Sequence, residues 1–421
     1  MLGRLRRFRR LFILLAVLGP GLITSNADND AGGIATYSQA GAQFGFKLLV
    51  LLIVITISLA VVNEMGARMG VVTGKGLADL IRERFGVRGT TFVMVLLVFA
   101  NAVTTMADFA GMAAGAELFG ITKYLTAPVM ALVIFLIVVR GSYPVVERVL
   151  ISIGLLYITY IVSGLLVHPD WAAVARGSLI PQVVPTRSYF LISIAVIGTT
   201  ITPWMQFYLQ GAVADKGIPE EQLAYSRADV VLGSFITDFI AFFIIVATGA
   251  ALYGHLTAAQ LSNMAAGDYA RALVPVAGHF AALLFGAGLF GASVLGGSVV
   301  PLSTAYAVTE AFGWERGVGL RFGEAPAFFG IFTGLLVVGA VAVLLPGVPL
   351  VPLILFSQDV NGLILPAILI YMLVLVNDRR VLGKHVNGPV ANAISIATVG
   401  LLITLTALLI FSSLPGSPLS A

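Results

Sequence analysis

The sequence predicts an all-α membrane protein of eleven transmembrane helices, the first ten arranged as two inverted five-helix repeats. Three observations predict it. The 421 residues are 59% apolar and 10% charged, with a mean hydropathy of +1.01; soluble domains hold about 45–50% apolar and about 25% charged residues. Apolar runs such as 48–62, 92–100, 127–139 and 390–411 are long enough, with their flanks, to cross a bilayer at roughly 20 residues each. Two runs are interrupted at matching places by polar and helix-breaking residues, "SNADNDAGG" at 25–33 and "GTTITPWMQ" at 198–206.

Hydropathy read together with turn and breaker signals places the elements in order. A basic tail, 1–10, is followed by a first repeat over 11–167, with spans at 11–42, 46–70, 91–119, 123–140 and 145–167. A loop at 168–187 leads to a second repeat over 188–376, with spans at 188–213, 228–254, 271–311, 325–345 and 350–376. A loop at 377–389, an eleventh span at 390–412 and a tail at 413–421 complete the chain. Several spans exceed the bilayer thickness, so tilt, breaks or protruding ends are expected. The eighth carries Gly286, Gly288, Gly291, Gly296 and Gly297, which suits close helix packing or a division into two shorter segments.

The start "MLGRLRRFRRLFILLAVLGPGLITSNA" imitates a secretory signal, with a basic region, an apolar region and small residues. The same segment is needed as the first functional helix, so cleavage is rejected. With the N-terminus inside, nineteen of the 24 lysines and arginines fall on inner segments; only Lys47, Lys123, Arg176, Arg187 and Arg271 lie outside. That bias supports the span count and a cytoplasmic N-terminus in a plasma membrane. The odd count puts the C-terminus outside.

Composition removes several functional classes. The sequence has no cysteine, which excludes disulfide scaffolds, thiolate catalysis and cysteine metal sites. The four histidines, His168, His255, His279 and His385, fall at or near predicted loops, against a histidine-rich metal centre. The net charge of +4 reflects membrane topology rather than nucleic-acid binding. No GxxxxGK[ST] loop appears and the longest loops are about 20 residues, against a nucleotide-driven pump or an appended enzyme. A secondary transporter, a channel or an intramembrane enzyme remains. Paired catalytic aspartates of a protease would need helical settings rather than a glycine-rich break, and two broken helices favour alternating access over a channel.

The breaks carry the chemistry. Pro203 cannot donate an amide, and the helix before it loses a bond. One proline in one span is an ordinary packing kink, and Gly32 with Gly33 alone is an ordinary close crossing. Two carboxylates, Asp28 and Asp30, beside those glycines are different, because ionisable residues in a bilayer are expensive and by default functional. Interrupted spans at corresponding places in two halves point to a midplane binding site, where freed carbonyls line a cavity. Carboxylate, amide, hydroxyl and carbonyl are hard oxygen donors suited to a divalent cation.

At these breaks the chain resembles the Nramp family of divalent-metal transporters, and the resemblance runs over nearly its whole length. "GPGLITSNADNDAGGIATYSQAGAQFG" is similar to the family's first-helix region with its DPGN motif, placing Asp30 at the metal-binding Asp, Ala31 at the Pro and Gly33 at the Asn. "GTTITPWMQFYLQ" resembles the sixth-helix MPH motif, with Thr202 at the Met and Trp204 at the His. "NEMGARMGVVTGKGLADLIRERFG" resembles the second helix and its following loop; "LFSQDVNGLILP" resembles the tenth, with Gln358 at the polar metal-facing position. The resemblance implies a LeuT-type fold and a metal set of Asp30, Ala27, Gly33, Thr199, Thr202 and Gln358. Gly33 and Thr202 depart from the family's asparagine and methionine. Losing a soft thioether removes a preference for transition metals, and a wider oxygen-lined pocket suits Mg²⁺, which dehydrates reluctantly. These departures look like the Nramp-related magnesium transporter branch, taking Mg²⁺ and Mn²⁺. Met106 and Met205 are the methionines near enough in sequence to supply a replacement sulfur; both read as packing.

In proton-coupled members the first-helix Asp, third-helix acids and sixth-helix histidines form the proton route. Here Thr105 replaces one acid, Asp108 keeps the other, and Trp204 and Leu209 occupy the histidine positions. Cation entry weakly coupled or uncoupled to protons is therefore expected, driven by membrane potential. Asp28, Asn29, Asp108 and Asp238 are accessory polar or proton-path candidates, and Glu310 reads as structural. The expected substrates and partners are divalent metal ions, Mg²⁺ or Mn²⁺, and the lipid bilayer, with no cofactor, no enzymatic activity, no nucleic acid and a monomeric functional unit. The alternatives are a proton-coupled Mn²⁺/Fe²⁺ importer, supported by Asp30, and an amino-acid symporter of the same architecture, which Asp30 opposes.

Overall fold

The computed structural model describes residues 20–140, 158–257, 260–261, 264–271, 274, 278 and 281–412. All the regular structure among the described residues is helical, with no strand among them. The first span is two helices, α1 (Pro20–Asp28) and α2 (Ala31–Phe44), followed by α3 (Leu49–Thr73), α4 (Leu77–Glu117) and α5 (Lys123–Arg140). Then come α6 (Ile158–Leu166) and α7 (Trp171–Leu179), and the divided sixth span as α8 (Arg187–Thr200) and α9 (Pro203–Asp215). The remainder is α10 (Leu223–Leu252), the short α11 (Ala266–Arg271), α12 (Ala281–Phe312), α13 (Pro326–Leu344), α14 (Leu350–Asn377), α15 (Arg379–Leu382) and α16 (Pro389–Ser412).

Nine candidate spans, α8 with α9 counted as one, are long and apolar enough to cross a membrane among the described residues. Of the eleven expected, the first, fifth and eighth fall partly outside the described residues, and the terminal tails 1–10 and 413–421 fall wholly outside them. Several boundaries need correction. The segment before residue 91, read as a loop, is helical from Leu77 and bends at Gly86, whose φ of 69° is open to glycine at little strain. The helix start there has no cap of its own; Glu310 supplies it from α12, its Oε1 accepting from the Asp79 N–H at 3.0 Å. The eighth span is described as one helix over Ala281–Phe312, and much of the stretch from 271 to 280 lies outside the described residues. The loop at 168–187 contains α7, turned 119° from α6. The loop at 377–389 holds α15 and a short turn before α16.

Equivalent helices of the two halves meet across the middle of the bundle. The third span, α4, packs on the eighth, α12; the second, α3, packs on the seventh, α10. This is the pairing an internal two-fold produces. Small residues permit it: a methyl group on Gly111 would overlap Ser293, and one on Gly115 would stand 2.9 Å from the Gly286 carbonyl oxygen. The first span lies along α10 in constant register, Gly21 against Asp229, Gly233 against Ser25, Asn29 against Thr237 and Gly41 against Gly249. The register continues across the break, so the polar interruption sits against an unbroken helix.

Candidate metal site

α1 ends at Asp28, which leaves the carbonyls of its last turn, Ala27 and Asp28 among them, without helical donors. Asp30 is extended (φ −70°, ψ −168°) and caps α2, its Oδ1 accepting from the Gly33 N–H at 2.9 Å. The side chain is buried, and Oδ2 has no protein hydrogen-bond partner. In the sixth span α8 ends at Thr200 and Pro203 opens α9 at its first position, where a missing N–H is no loss. Thr202 stands at the cap without making a cap bond, and both Thr199 Oγ1 and Thr202 Oγ1 are buried without partners. Each break thus presents the negative end of a helix, the end that favours a cation.

The breaks face one another. Tyr37 on α2 and Thr200 on α8 are hydrogen-bonded at 2.8 Å between hydroxyls. A Cβ on Gly33 would stand 3.1 Å from the Asp28 carbonyl oxygen and 3.6 Å from Thr199 Oγ1. A methyl group on Gly32 would overlap the Gln358 amide and lie 3.0 Å from Asp30 Oδ1. Asp30, Gly33, Thr199 and Gln358 are therefore brought together, with Ala27 and Thr202 at the adjoining helix ends. Gln358 is itself positioned: its Nε2 donates to Ser357 Oγ at 2.9 Å, and Asn361 Nδ2 donates to its Oε1 at 3.1 Å and to Thr104 Oγ1 at 3.1 Å.

Among the described residues no three His, Cys, Asp or Glu side chains gather as a metal cluster. A cation at the breaks would be held by one carboxylate with amide, hydroxyl and carbonyl oxygens. Met205 belongs to the apolar core and Met106 is half-buried.

Asp108 on α4 lies within electrostatic range of Asp30, and the Ala31 N–H is directed to its carboxylate without reaching hydrogen-bond geometry. Asp28 lies within range of both Asp30 and Asp238. Asn29 is committed elsewhere, its Nδ2 donating to Thr237 Oγ1 at 2.7 Å and to the Thr237 carbonyl at 3.1 Å. Thr105 Oγ1 donates to the Asn101 carbonyl at 2.7 Å, inside its own helix. Trp204 and Leu209, at the positions of the histidines, are fully buried and neither relays a proton near neutral pH. Two features were not singled out from the sequence: the Asp28 carbonyl and the Asn361–Thr104 pair behind Gln358. The spacing of Gln358 and Asn361, three apart on one helical face, is the signal that would have found the last.

A model of the family described as Natural resistance-associated macrophage protein-like matches residues 21–412. The divalent metal cation transporter MntH of Aeromonas hydrophila is 28% identical over 411 residues, covering 94% of this chain and 95% of that protein. The crystal structure of the Eremococcus coleocola manganese transporter superposes with a TM-score of 0.76 at 20% identity, covering 97% of this chain and 89% of that one. Mhp1, a nucleobase-cation-symport-1 family transporter, shares the same fold more distantly, with a TM-score of 0.58 at 15% identity over 93% of this chain and 91% of that one. The fold is LeuT-type. With paired broken helices around the buried Asp30 and a family match from the first described helix to the last, this chain belongs to the Nramp family of divalent metal cation transporters.

Proposed function

We propose that this transporter takes up Mg²⁺, and with it Mn²⁺, across the plasma membrane through a site formed by Asp30, the Ala27 carbonyl, Thr199, Thr202 and Gln358, with Gly33 leaving room for retained water. The observation that carries the reading is the all-oxygen lining with Thr202 where the family has a thioether. Mg²⁺ keeps several waters and is bound through one or two carboxylates, which fits one acid among neutral oxygens. The N-terminus is cytoplasmic, the C-terminus is outside, and the unit is a monomer. Proton coupling is weak or absent, since Trp204 and Leu209 replace the histidines.

A second reading, a proton-coupled Mn²⁺/Fe²⁺ importer, draws support from two observations. The similar proteins are an MntH and a manganese transporter, and Asp108 stands beside Asp30 as a second buried acid.

Uptake of Mg²⁺, Mn²⁺, Ca²⁺ and alanine into proteoliposomes, with lumenal pH recorded in parallel, separates these readings. Mg²⁺ and Mn²⁺ are expected to enter without acidification, Asp30→Ala to abolish uptake, and Thr202→Met to raise the preference for Mn²⁺ or Cd²⁺ about tenfold or more over Mg²⁺. Lumenal acidification in step with Mg²⁺ entry would refute the uncoupled reading. An unchanged preference in Thr202→Met would refute the role given to the missing sulfur.

A further inference from the structure

At the arginine-rich end of the bundle, the last turns of α14 and the start of α15 form a cavity of about 620 Å³. Ile370, Leu373 and Val374 make its apolar wall; Arg84, Arg379 and Arg380 stand at its polar rim with Asn377 and Asp378. Ile370 is 47% and Val374 40% exposed, so the wall lies on the outer surface of the bundle, where hydrocarbon chains pack. The rim begins where the apolar stretch of α14 ends.

The polar groups of this rim are unequal. Arg84 is paired with Asp378, Nε to Oδ2 at 2.8 Å, and the other carboxylate oxygen, Oδ1, accepts from the Arg380 N–H at 2.9 Å. The only acid of the rim is thereby occupied twice. The guanidinium groups of Arg379 and Arg380 are exposed and pair with no carboxylate among the described residues. Arg379 also lines a second cavity of about 460 Å³ with Gly383, Lys384 and Val386, which extends the positive surface along the same end.

We propose that this cavity binds the headgroup of an anionic phospholipid, its phosphate between Arg379 and Arg380 and its first acyl carbons against Ile370, Leu373 and Val374. Guanidinium groups match phosphate oxygens with paired N–H donors, and basic pockets beside transmembrane helices take anionic headgroups. An apolar wall continuous with a basic rim fits an amphiphile, whereas a free anion would use the rim alone. The site is independent of the metal site and of the coupling reading above. It lies on the cytoplasmic leaflet in the orientation given by the basic residues.

The test uses the full chain purified in detergent and titrated with mixed micelles of phosphatidylglycerol or phosphatidylcholine, with bound lipid counted by native mass spectrometry. One phosphatidylglycerol is expected to be retained per chain in preference to phosphatidylcholine. The double variant R379Q/R380Q should weaken that retention about 25-fold, from about five-fold for each arginine at an anionic surface; R379K/R380K, which keeps the charge but loses the paired donors, should fall between that variant and the parent. Thermal unfolding of the variants, expected to match the parent, separates lost binding from lost fold. Arg321→Gln removes one exposed charge elsewhere at the same end and should leave retention unchanged. Equal retention of the two lipids, full retention by R379Q/R380Q, or an equal loss in Arg321→Gln would overturn the proposal. Displacement of the lipid by millimolar inorganic phosphate would assign the rim to a free anion and also overturn it.

Discussion

Gly32 is the residue on which the geometry of the candidate metal site turns most visibly. Its missing side chain is the space that the Gln358 amide occupies beside Asp30. Gly32→Ala should push that amide out of the break and crowd Asp30 Oδ1, which its methyl group would meet at 3.0 Å, so it acts chiefly as a removal of Gln358 by proxy. Each of Gly32→Ala and Gln358→Ala is expected to weaken Mg²⁺ or Mn²⁺ binding roughly tenfold, the scale of one interaction with a charged group. The double variant should be no worse than Gly32→Ala alone, because the Gln358 contact is lost in both. Isothermal titration of the three proteins checks this, and additive losses would show that Gln358 does not reach the ion through the space at Gly32. Asp30 was legible in the sequence because a carboxylate among glycines in an apolar span is costly to bury unless it binds something. The Gly32–Gln358 contact was not, because it joins residues from opposite ends of the chain, and nothing local in either stretch specifies the other.

At the scale of elements, close helix crossings hold the site in register. α8 meets α14 at Gly198 and Gly362: a methyl group on Gly198 would overlap both the Gln358 carbonyl and the Gly362 amide. These are backbone atoms, which cannot rotate aside as a side chain can. Gly198→Ala is therefore expected to destabilise the protein by about 1–3 kcal/mol, the usual range for overpacking, and to lower transport by moving Gln358 away from the breaks. Gly330→Ala on α13, where a methyl group meets open space, should leave the thermal unfolding temperature unchanged or raise it slightly. Equal behaviour of the two variants in a thermal-shift assay would show that the α8–α14 crossing has slack. The spans themselves were readable because hydropathy is a local property of about 20 residues. The helix from Leu77 to the Gly86 bend was not, since its segment is too polar to read as a span and its first amides are satisfied by Glu310 on a distant helix.

For the whole molecule, alternating access makes a demand on the seam between the first span and α10. Below the break α1 is held to α10 at two points: the Gly21 N–H donates to Asp229 Oδ2 at 2.8 Å, and Ser25 lies directly over Gly233. Above it α2 lies as close, a methyl group on Gly41 overlapping Thr248 Oγ1 and standing 2.6 Å from the Ile245 carbonyl oxygen. Between them Asn29 pins the break itself to Thr237. A carrier that opens to one side at a time must release one of these stretches while keeping the other, and residues 29–30, outside both helices, are where that bend is expected. Inverted repeats with matching breaks were visible in the sequence. The register along α10 was not, because the partners are small residues whose significance depends on what lies opposite. Gly233→Ala would place a methyl group against Ser25 Oγ and 2.8 Å from the Gly21 carbonyl oxygen, pushing α1 away while leaving α2 seated. The chain has no cysteine, so Ala27→Cys gives a single reporter in the last turn of α1, buried when the seam is closed. Adding Gly233→Ala should raise its labelling by a membrane-impermeant maleimide, applied from the arginine-rich side, by several-fold. A displacement costing about 1.4 kcal/mol already changes the open population tenfold. Gly41→Ala should leave that labelling unchanged, because it loads the seam on the far side of the hinge. If both substitutions raise it alike, α1 and α2 move as one body, and the unwound residues serve only to bind the ion.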